Sequence, residues 1–358
     1  MVKKADAVII GAGIVGSAVA WQLNQQGCRD VVVIDPDLEG AWSRPELKAG
    51  GVRGTWTRPW NRERITETIA LLEQHAEEVG YRACGYLWLK TADRWRAGAR
   101  ALELQRSMGW EVRELSPSDI TRQVPFLDRL EGVHAATFAP RDGLVNPNRL
   151  KNLMRERARA GGARFVDRSY FKKAQRQGSQ WVLDVETLSP SMTRDEMRSA
   201  LENPSGQHAL EHAQWETPIV VNCAGPWAGW VARQMGYSSS ARAIRRQICL
   251  FDCRDVDLSA YGMIVDTSGV YFHPEATNGM AGFGSPQERE GYSFEYDGEG
   301  FFQDVIWPAL YERSSRFERL RHLTGWAGLY EVSPDESGIV GAVPLPGVFE
   351  AHSFSGHG

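Results

Sequence analysis

The sequence predicts an α/β protein of two domains, the first of which carries a parallel β-sheet. The chain has 358 residues, of which 42% are hydrophobic, and this length exceeds one compact domain of typical size. Near its start, continuous apolar runs at 7–10 and 31–34 flank a segment with the residue spacing of a helix. Two apolar strands around a helix are typical of a parallel β-α-β unit that is covered on both faces.

A glycine-rich turn joins the first apolar run to the helix and reads Gly11-Ala12-Gly13-Ile14-Val15-Gly16. The three glycines in order permit a tight turn, a close approach of the backbone to a pyrophosphate, and close packing of the helix on the sheet. The N–H groups of the first helical turn, at Ile14 and Val15, would face the phosphates. Asp35 lies 24 residues after Gly11 and can accept hydrogen bonds from ribose hydroxyls.

This combination of strand, glycine motif, helix, strand and acid predicts a Rossmann-like dinucleotide-binding unit. FAD and NAD share the fingerprint, so the motif alone leaves both open. The carboxylate of Asp35 disfavours NADP, because it would repel a 2′-phosphate.

The rest of the chain continues to alternate between helical and strand patterns. We expect helices at 61–78 and in the stretches that end at 159 and 235, and strands at 85–89, 163–166 and 218–222. The polar stretch 190–216 is predicted to be a surface excursion between two strands. Gly50 and Gly51, just before Arg53, indicate backbone that passes close to a flat ligand.

Composition excludes several classes of function. The formal net charge is −4, which argues against a nucleic-acid partner. The five cysteines have no zinc-site spacing and are expected to be inert thiols. No apolar run approaches the ~20 residues of a membrane-spanning helix. The first strand begins almost at Met1, which leaves no room for a signal peptide, so a cytoplasmic location is expected.

Three later segments carry a family resemblance: Asn222-Cys223-Ala224-Gly225-Pro226-Trp227, the stretch from Gly325 to Asp335, and Phe354-Ser355-Gly356-His357-Gly358. Their content and order resemble the D-amino acid oxidase superfamily, in its sarcosine oxidase and glycine oxidase branch. The resemblance favours FAD over NAD. It implies a Rossmann-like FAD-binding domain and a substrate domain with a large mixed, mostly antiparallel sheet that roofs the isoalloxazine. In the family a further helix follows the last segment, whereas this sequence stops at Gly358.

The resemblance implies a discontinuous division of the chain. The FAD-binding domain is expected to comprise 1–78, 141–236 and 323–358, and the substrate domain 79–140 and 237–322. The glycine motif and the matching segments together predict the cofactor contacts: Gly11, Gly13, Ile14, Val15, Gly16, Asp35, Ser43, Arg44, Gly50, Gly51, Val166, Ala224, Gly225, Trp227, Gly328, Gly356, His357 and Gly358.

Four residues are the candidates for the chemistry. Arg53 is expected to bind a substrate carboxylate or to support negative charge on the reduced flavin. Tyr330 corresponds by motif to a tyrosine that meets the substrate carboxylate in sarcosine oxidase-like enzymes. Tyr271 and His273 share one face of a predicted strand by alternation, and the resemblance places that strand beside the substrate cavity.

Two departures from the family pattern have consequences. Monomeric sarcosine oxidase attaches its flavin through a cysteine two residues before the matching tyrosine. Here that position is Gly328, so we expect FAD to be bound non-covalently. The family also uses a lysine above the flavin for the reaction with oxygen, and this chain has no lysine after Lys173. The electron acceptor, oxygen or another, therefore stays open, as does the oligomeric state.

The predicted reaction is FAD-dependent oxidation of the C–N bond of an amino acid or N-alkyl amino acid. Hydride passes to flavin N5, and the resulting imine is hydrolysed to an oxo acid and an amine or ammonia. One alternative is oxidation of a 2-hydroxy acid, which would need a base such as His273. A second is a non-catalytic flavin-bound subunit or assembly factor.

Overall fold

The computed structural model describes residues 2–40, 42, 49–208, 211–288 and 290–356. The predicted FAD contacts at Ser43, Arg44, His357 and Gly358 lie outside these residues. The helices are α1 (Ile14–Gln25), α2 (Pro59–Gln74), α3 (Ala76–Val79), α4 (Ala92–Ser107), α5 (Pro117–Gln123), α6 (Pro147–Ala160), α7 (Arg194–Glu202), α8 (Ala228–Met235), α9 (Glu299–Phe301) and α10 (Trp307–Tyr311).

The described residues also form twenty strands. They are β1 (Val2–Lys4), β2 (Ala7–Ile10), β3 (Val31–Ile34), β4 (Gly51–Val52), β5 (Tyr86–Lys90), β6 (Arg113–Leu115), β7 (Ala135–Ala139), β8 (Gly143–Leu144), β9 (Arg164–Val166), β10 (Ser169–Gln177), β11 (Gln180–Thr187), β12 (Glu211–Thr217), β13 (Ile219–Asn222), β14 (Arg242–Asp252), β15 (Met263–Val265), β16 (Tyr271–Glu275), β17 (Asn278–Phe283), β18 (Arg321–Val332), β19 (Ile339–Ala342) and β20 (Val348–His352).

A parallel sheet forms the first layer, with the strand order β19-β20-β13-β2-β3-β9. Strands β20, β13, β2, β3 and β9 pair in parallel, and β19 closes the edge antiparallel to β20. Every residue of β2 and β3 is buried, as the continuous apolar runs require. Helix α1 begins directly after the glycine turn, so the predicted β-α-β unit is confirmed.

The second large sheet has eight strands in the order β18-β14-β17-β16-β15-β5-β7-β6. Its neighbours pair antiparallel except β15 and β5, which are parallel. The predicted combination of a Rossmann-like layer and a mixed, mostly antiparallel sheet is therefore confirmed.

Alternation along β5 and β16 separates a core face from an open face of this sheet. Leu87, Leu89 and Phe272 point into one hydrophobic cluster. Tyr86 and Trp88 alternate with these leucines, and Tyr271 precedes Phe272, so all three lie on the opposite face. That second face covers the site described below.

The polar stretch 190–216 is more structured than the sequence indicates. It contains α7 and the first part of β12, and Met197, Ala200 and Leu201 of α7 belong to the hydrophobic core. The expectation of a surface excursion is therefore wrong for this helix. The helix is mostly polar, but Ala200 and Leu201 follow Met197 by three and four residues, so the three side chains lie on one helical face.

The strands of the eight-stranded sheet can be compared with the predicted domain division. Strands β5 to β7 and β14 to β17 fall inside 79–140 and 237–322, and all belong to the eight-stranded sheet. Strand β18 (Arg321–Val332) belongs to the same sheet, although most of it falls in the stretch assigned to the FAD-binding domain. The exact division stays a prediction.

Two further features of the described residues concern possible partners. No helix among them combines the length and the apolar character that crossing a membrane requires. They also contain no group of three or more His, Cys, Asp or Glu side chains that could hold a metal ion.

Candidate active site

A cavity of about 1170 Å³ connects the two large sheets. Residues at the carboxyl ends of β2, β3 and β13 form one wall, among them Gly11, Asp35 and Ala224. The open face of the eight-stranded sheet forms another, with Tyr86 and Tyr271 among its residues. Ligands of open parallel sheets bind at the carboxyl ends of the strands, so the cavity lies where the glycine motif predicts it.

The glycine motif has the geometry of a phosphate cradle. Gly11 has a φ of +105°, and a Cβ there would lie 2.4 Å from the Cys223 carbonyl oxygen. A Cβ at Gly16 would lie 1.9 Å from the Gly11 carbonyl oxygen. At Gly13, the residue before α1, an added Cβ would meet no described atom within 4 Å. Gly13 therefore faces open space, where the N–H groups of the first turn have no helical acceptor.

Asp35 closes the same end of the cavity. Its carboxylate accepts hydrogen bonds from the Ala12 N–H at 2.6 Å and the Asp37 N–H at 2.8 Å. Burial raises the pKa of Asp35 to about 6, although these two donors and the Arg155 guanidinium act in the opposite direction. The carboxylate thus ties the glycine turn to the end of β3, in the position expected for a ribose acceptor.

Arg155 is a residue at this end that the sequence did not reveal. It lies buried on α6 and donates to the Leu38 carbonyl at 3.0 Å and the Ala12 carbonyl at 3.1 Å. A buried cation therefore braces the loop that should carry the pyrophosphate. Arg155 lies in a helix 120 residues from Asp35, and no local motif marks it.

Paired glycines bring a second stretch of backbone against the eight-stranded sheet. A Cβ at Gly51 would lie 1.7 Å from the Tyr86 hydroxyl. Gly50 has a φ of +65°, and a Cβ there would lie 2.1 Å from the Val145 carbonyl oxygen. Both glycines line the cavity, and side chains at either position would push the backbone off its neighbours.

Arg53 follows this stretch and lies in the cavity wall. Its guanidinium lies over the Trp56 ring at 3.9 Å and over the Trp88 ring at 5.3 Å. Burial lowers the pKa of Arg53, and the nearby Tyr86 and Asp142 oppose this shift. Among the residues that the structure describes, no carboxylate lies within ion-pairing distance of the guanidinium. Burying an unpaired cation is costly, so the group is available for an anionic ligand.

Three tyrosines share the wall with Arg53. Tyr86, Tyr271 and Tyr330 all line the cavity, and the Tyr271 and Tyr330 hydroxyls form a hydrogen bond. Burial raises the pKa of Tyr86 and of Tyr271, so their hydroxyls are neutral donors. The structure therefore brings together three of the four predicted catalytic residues and adds Tyr86.

His273 is the predicted catalytic residue that does not reach the cavity wall. It is 2% exposed, and its Nδ1 lies 2.8 Å from the Pro274 carbonyl oxygen, to which it can donate. Nε2 is buried and has no partner among the described residues. Burial lowers the pKa of His273 to about 4, so the ring is neutral near pH 7. His273 follows Tyr271 by two positions in β16, and it is not among the residues that line the cavity.

The remaining predicted cofactor residues divide into two groups. Those that line the cavity are Ile14, Val15, Ala224, Gly225, Trp227 and Gly356. Gly16, Val166 and Gly328 are not among the lining residues. The Val166 carbonyl accepts the Asp35 N–H at 3.2 Å, and Gly328 is buried in β18 opposite Arg246.

Comparison with known proteins identifies the family. The family model of FAD dependent oxidoreductases, DAO, matches residues 6–358. The chain belongs to this family. FAD-dependent oxidoreductase domain-containing protein 1 of Bos taurus is 27% identical over 390 residues, which cover 99% of this chain and 78% of that protein.

Two further comparisons concern proteins that are named as dehydrogenases. Human mitochondrial dimethylglycine dehydrogenase is 26% identical over 300 residues, or 76% of this chain, which spans only 30% of that protein. The crystal structure of L-proline dehydrogenase from P. horikoshii has a TM-score of 0.82 at 22% identity, with coverage of 100% of this chain and 90% of that one. The latter shows that the fold is shared.

The family identifies this chain as an FAD-dependent oxidoreductase, and the site fits that cofactor. Gly13 leaves free the space that a pyrophosphate requires, and the first turn of α1 offers N–H donors there. The Asp35 carboxylate lines the cavity where a ribose acceptor is expected. Gly50 and Gly51 place their backbone in the cavity lining, next to Tyr86.

Proposed function

We propose that this FAD-dependent oxidoreductase oxidises the C–N bond of an amino acid or N-alkyl amino acid. The observation that carries the proposal is the arrangement around Arg53. A half-buried guanidinium with no carboxylate partner among the described residues shares a cavity wall with three tyrosines. A substrate carboxylate would neutralise the cation, and this carboxylate would also accept a hydrogen bond from a tyrosine hydroxyl.

In this proposal the chain acts mainly by orienting its substrate. Bound FAD supplies the two-electron acceptor. Arg53 and Tyr330 hold the carboxylate, which fixes the direction of the α-C–H bond; such positioning can supply much of a rate enhancement. The substrate loses a hydride from the α-carbon and a proton from the amine, and the C=N bond that forms is hydrolysed by water.

The chemistry of this wall favours an amine substrate. An amine that binds in its neutral form releases hydride with assistance from the nitrogen lone pair, so no strong general base is needed. Tyr86 and Tyr271 have raised pKa values and would donate hydrogen bonds rather than abstract protons. Oxidation of a 2-hydroxy acid calls for a base, and His273, the candidate for that role, lies outside the cavity lining.

The names of the relatives agree with the proposal. Dimethylglycine dehydrogenase and L-proline dehydrogenase are each named for a compound that carries both an amine and a carboxylate. These names describe those proteins, and they support the same substrate class here.

Anaerobic reduction of the flavin tests the proposal. The FAD-loaded protein is mixed without oxygen with α-amino acids, N-methyl amino acids, 2-hydroxy acids and simple amines, and the loss of flavin absorbance is followed. We expect reduction by members of the first two classes. Reduction by 2-hydroxy acids alone would contradict the proposal. No reduction by any class, with FAD bound, would favour a non-catalytic role.

A further inference from the structure

A second cation, Lys90, lines the same cavity at the end of β5. Tyr86, Trp88 and Lys90 occupy alternate positions of β5, and all three line the cavity. Since side chains two apart in a strand share a face, they form one row. Arg53 lies over Trp88, and Lys90 follows Trp88 by about 6.6 Å of strand.

Lys90 has no anionic partner in the described part of the chain. No carboxylate lies within ion-pairing distance of its ammonium group, and its Nζ lies 6.0 Å from the centroid of the Trp95 ring. The group lies beside α4, where a Cβ added at Gly98 would be 3.3 Å from Nζ. Burial lowers the pKa of Lys90, with no charged neighbour acting on it.

Arg94, Asp266 and Arg64 are further charged residues of the cavity lining. Arg94 also lines the cavity, and its guanidinium donates to the Thr267 carbonyl at 2.8 Å. Asp266 lines the cavity too, but it is ion-paired with Arg313. Arg64 is paired with Glu63 and Glu67. Within the part of the chain that the structure describes, neither Lys90 nor Arg94 is ion-paired with a carboxylate.

We propose that this end of the cavity binds a second anionic group of the substrate, so that the preferred substrate is a dicarboxylic amino acid or its N-alkyl derivative. Arg53 takes the α-carboxylate and Lys90 the distal one, on either side of Trp88. The inference rests on the proposed function, since it uses Arg53 as the site of the first carboxylate. A partly desolvated, unpaired ammonium in a ligand cavity is costly without such a partner.

A binding experiment tests this inference without turnover. Glutarate and its monoamide have nearly the same shape, and they differ in the charge of one end. Each is titrated into the FAD-loaded protein, and the dissociation constant is read from the perturbation of the flavin spectrum. We expect glutarate to bind about tenfold to a hundredfold more tightly than the monoamide, which is the typical effect of one charge-assisted hydrogen bond.

Variants assign the preference to Lys90. Lys90→Met should bring the two dissociation constants together, and Lys90→Arg should keep them apart because it retains the charge. Lys173→Met is the control, since that exposed lysine pairs with Asp184 on a different sheet, and it should match the wild type. FAD content and the flavin spectrum verify that each variant is folded.

Turnover then separates this inference from the proposed function. With glutamate and glutamine as substrates, Lys90→Met should lower kcat/KM about tenfold or more for glutamate alone. If no amino acid reduces the flavin but glutarate is still preferred through Lys90, the proposed reaction fails and the anion site stands. Equal binding of glutarate and its monoamide to the wild type, no binding of either, or equal losses in Lys90→Met would overturn the inference.

Discussion

The Asp142 carboxylate accepts a hydrogen bond from the Gly54 N–H at 2.7 Å, so a buried acid holds the backbone next to Arg53. The same oxygen accepts from Trp110 Nε1 at 2.9 Å. Burial raises the pKa of Asp142 to about 6, against the lowering effects of these donors and of Arg53. A carboxyl group with a pKa close to neutral pH therefore lies beside the proposed carboxylate site.

The first prediction concerns the pH dependence of unfolding. Because the folded pKa of Asp142 lies above its ordinary value, the folded protein binds this proton more tightly than the unfolded chain does. The contribution of this proton to the free energy of unfolding is complete below about pH 4. It is lost as the pH rises through about 6, which lowers the free energy of unfolding by up to ~3 kcal/mol. Asp142→Asn should remove this component, as measured by urea unfolding of the FAD-loaded protein between about pH 4 and pH 7.

A matched variant serves as the control for Asp142. Glu103 is exposed on α4, and Glu103→Gln should leave the wild-type pH dependence unchanged. If Asp142→Asn and the wild type lose stability in parallel as the pH rises, the carboxyl of Asp142 does not titrate in this range.

A second prediction separates cofactor binding from folding within the glycine motif. A side chain at Gly13 meets open space, whereas one at Gly16 would overlap the Gly11 carbonyl. We therefore expect Gly13→Val to fold but to be colourless, because its side chain fills the pyrophosphate position. Gly16→Val should fail to fold. Far-ultraviolet circular dichroism and the flavin absorbance distinguish the two outcomes, and a yellow Gly13→Val protein would contradict the assignment of the cradle.

A third prediction concerns the attachment and identity of the flavin. Position 328 is glycine and offers no thiol for a covalent bond. Acid precipitation of the purified protein should leave a colourless pellet and a yellow supernatant, and chromatography should identify the released flavin as FAD. A yellow pellet would show that another residue makes a bond to the flavin, and released FMN would refute the cofactor assignment.

Local patterns predict the glycine turn and the acid that lie together at one end of the cavity. Gly11, Gly13 and Gly16 have roles that depend on backbone geometry within one turn, and Asp35 ends the next strand of the same unit. Such features follow from short stretches of sequence. Tyr330 is a candidate through the family resemblance, and Tyr271 through that resemblance together with alternation along its strand.

Residues brought to the site by long-range packing were missed. Asp142 reaches the Arg53 loop across 88 residues, and Arg155 reaches Ala12 across 143. No periodicity marks either contact. Alternation with Leu87 and Leu89 predicts that Tyr86 and Trp88 share one face of their strand. Which face meets the cavity follows only from the register with β15 and β16.

The last prediction tests Arg53 and Tyr330 as the carboxylate site. Losing a charge-assisted hydrogen bond costs ~1.5–3 kcal/mol, so Arg53→Met should lower kcat/KM for an amino acid by roughly tenfold to a hundredfold. Tyr330→Phe should cause a smaller loss, since it removes a neutral donor. The measurement is the rate of anaerobic flavin reduction, compared between an amino acid and the matching decarboxylated amine.

The amine comparison decides what Arg53 does. If the guanidinium binds the substrate carboxylate, the defect of Arg53→Met should be much smaller for the amine, which has no carboxylate to lose. Arg113→Met is the control, because that exposed arginine pairs with Glu111 at the surface, and it should leave both rates unchanged. Equal losses for the amino acid and the amine would show instead that Arg53 supports the negative charge of the reduced flavin, since that role is independent of the substrate's carboxylate.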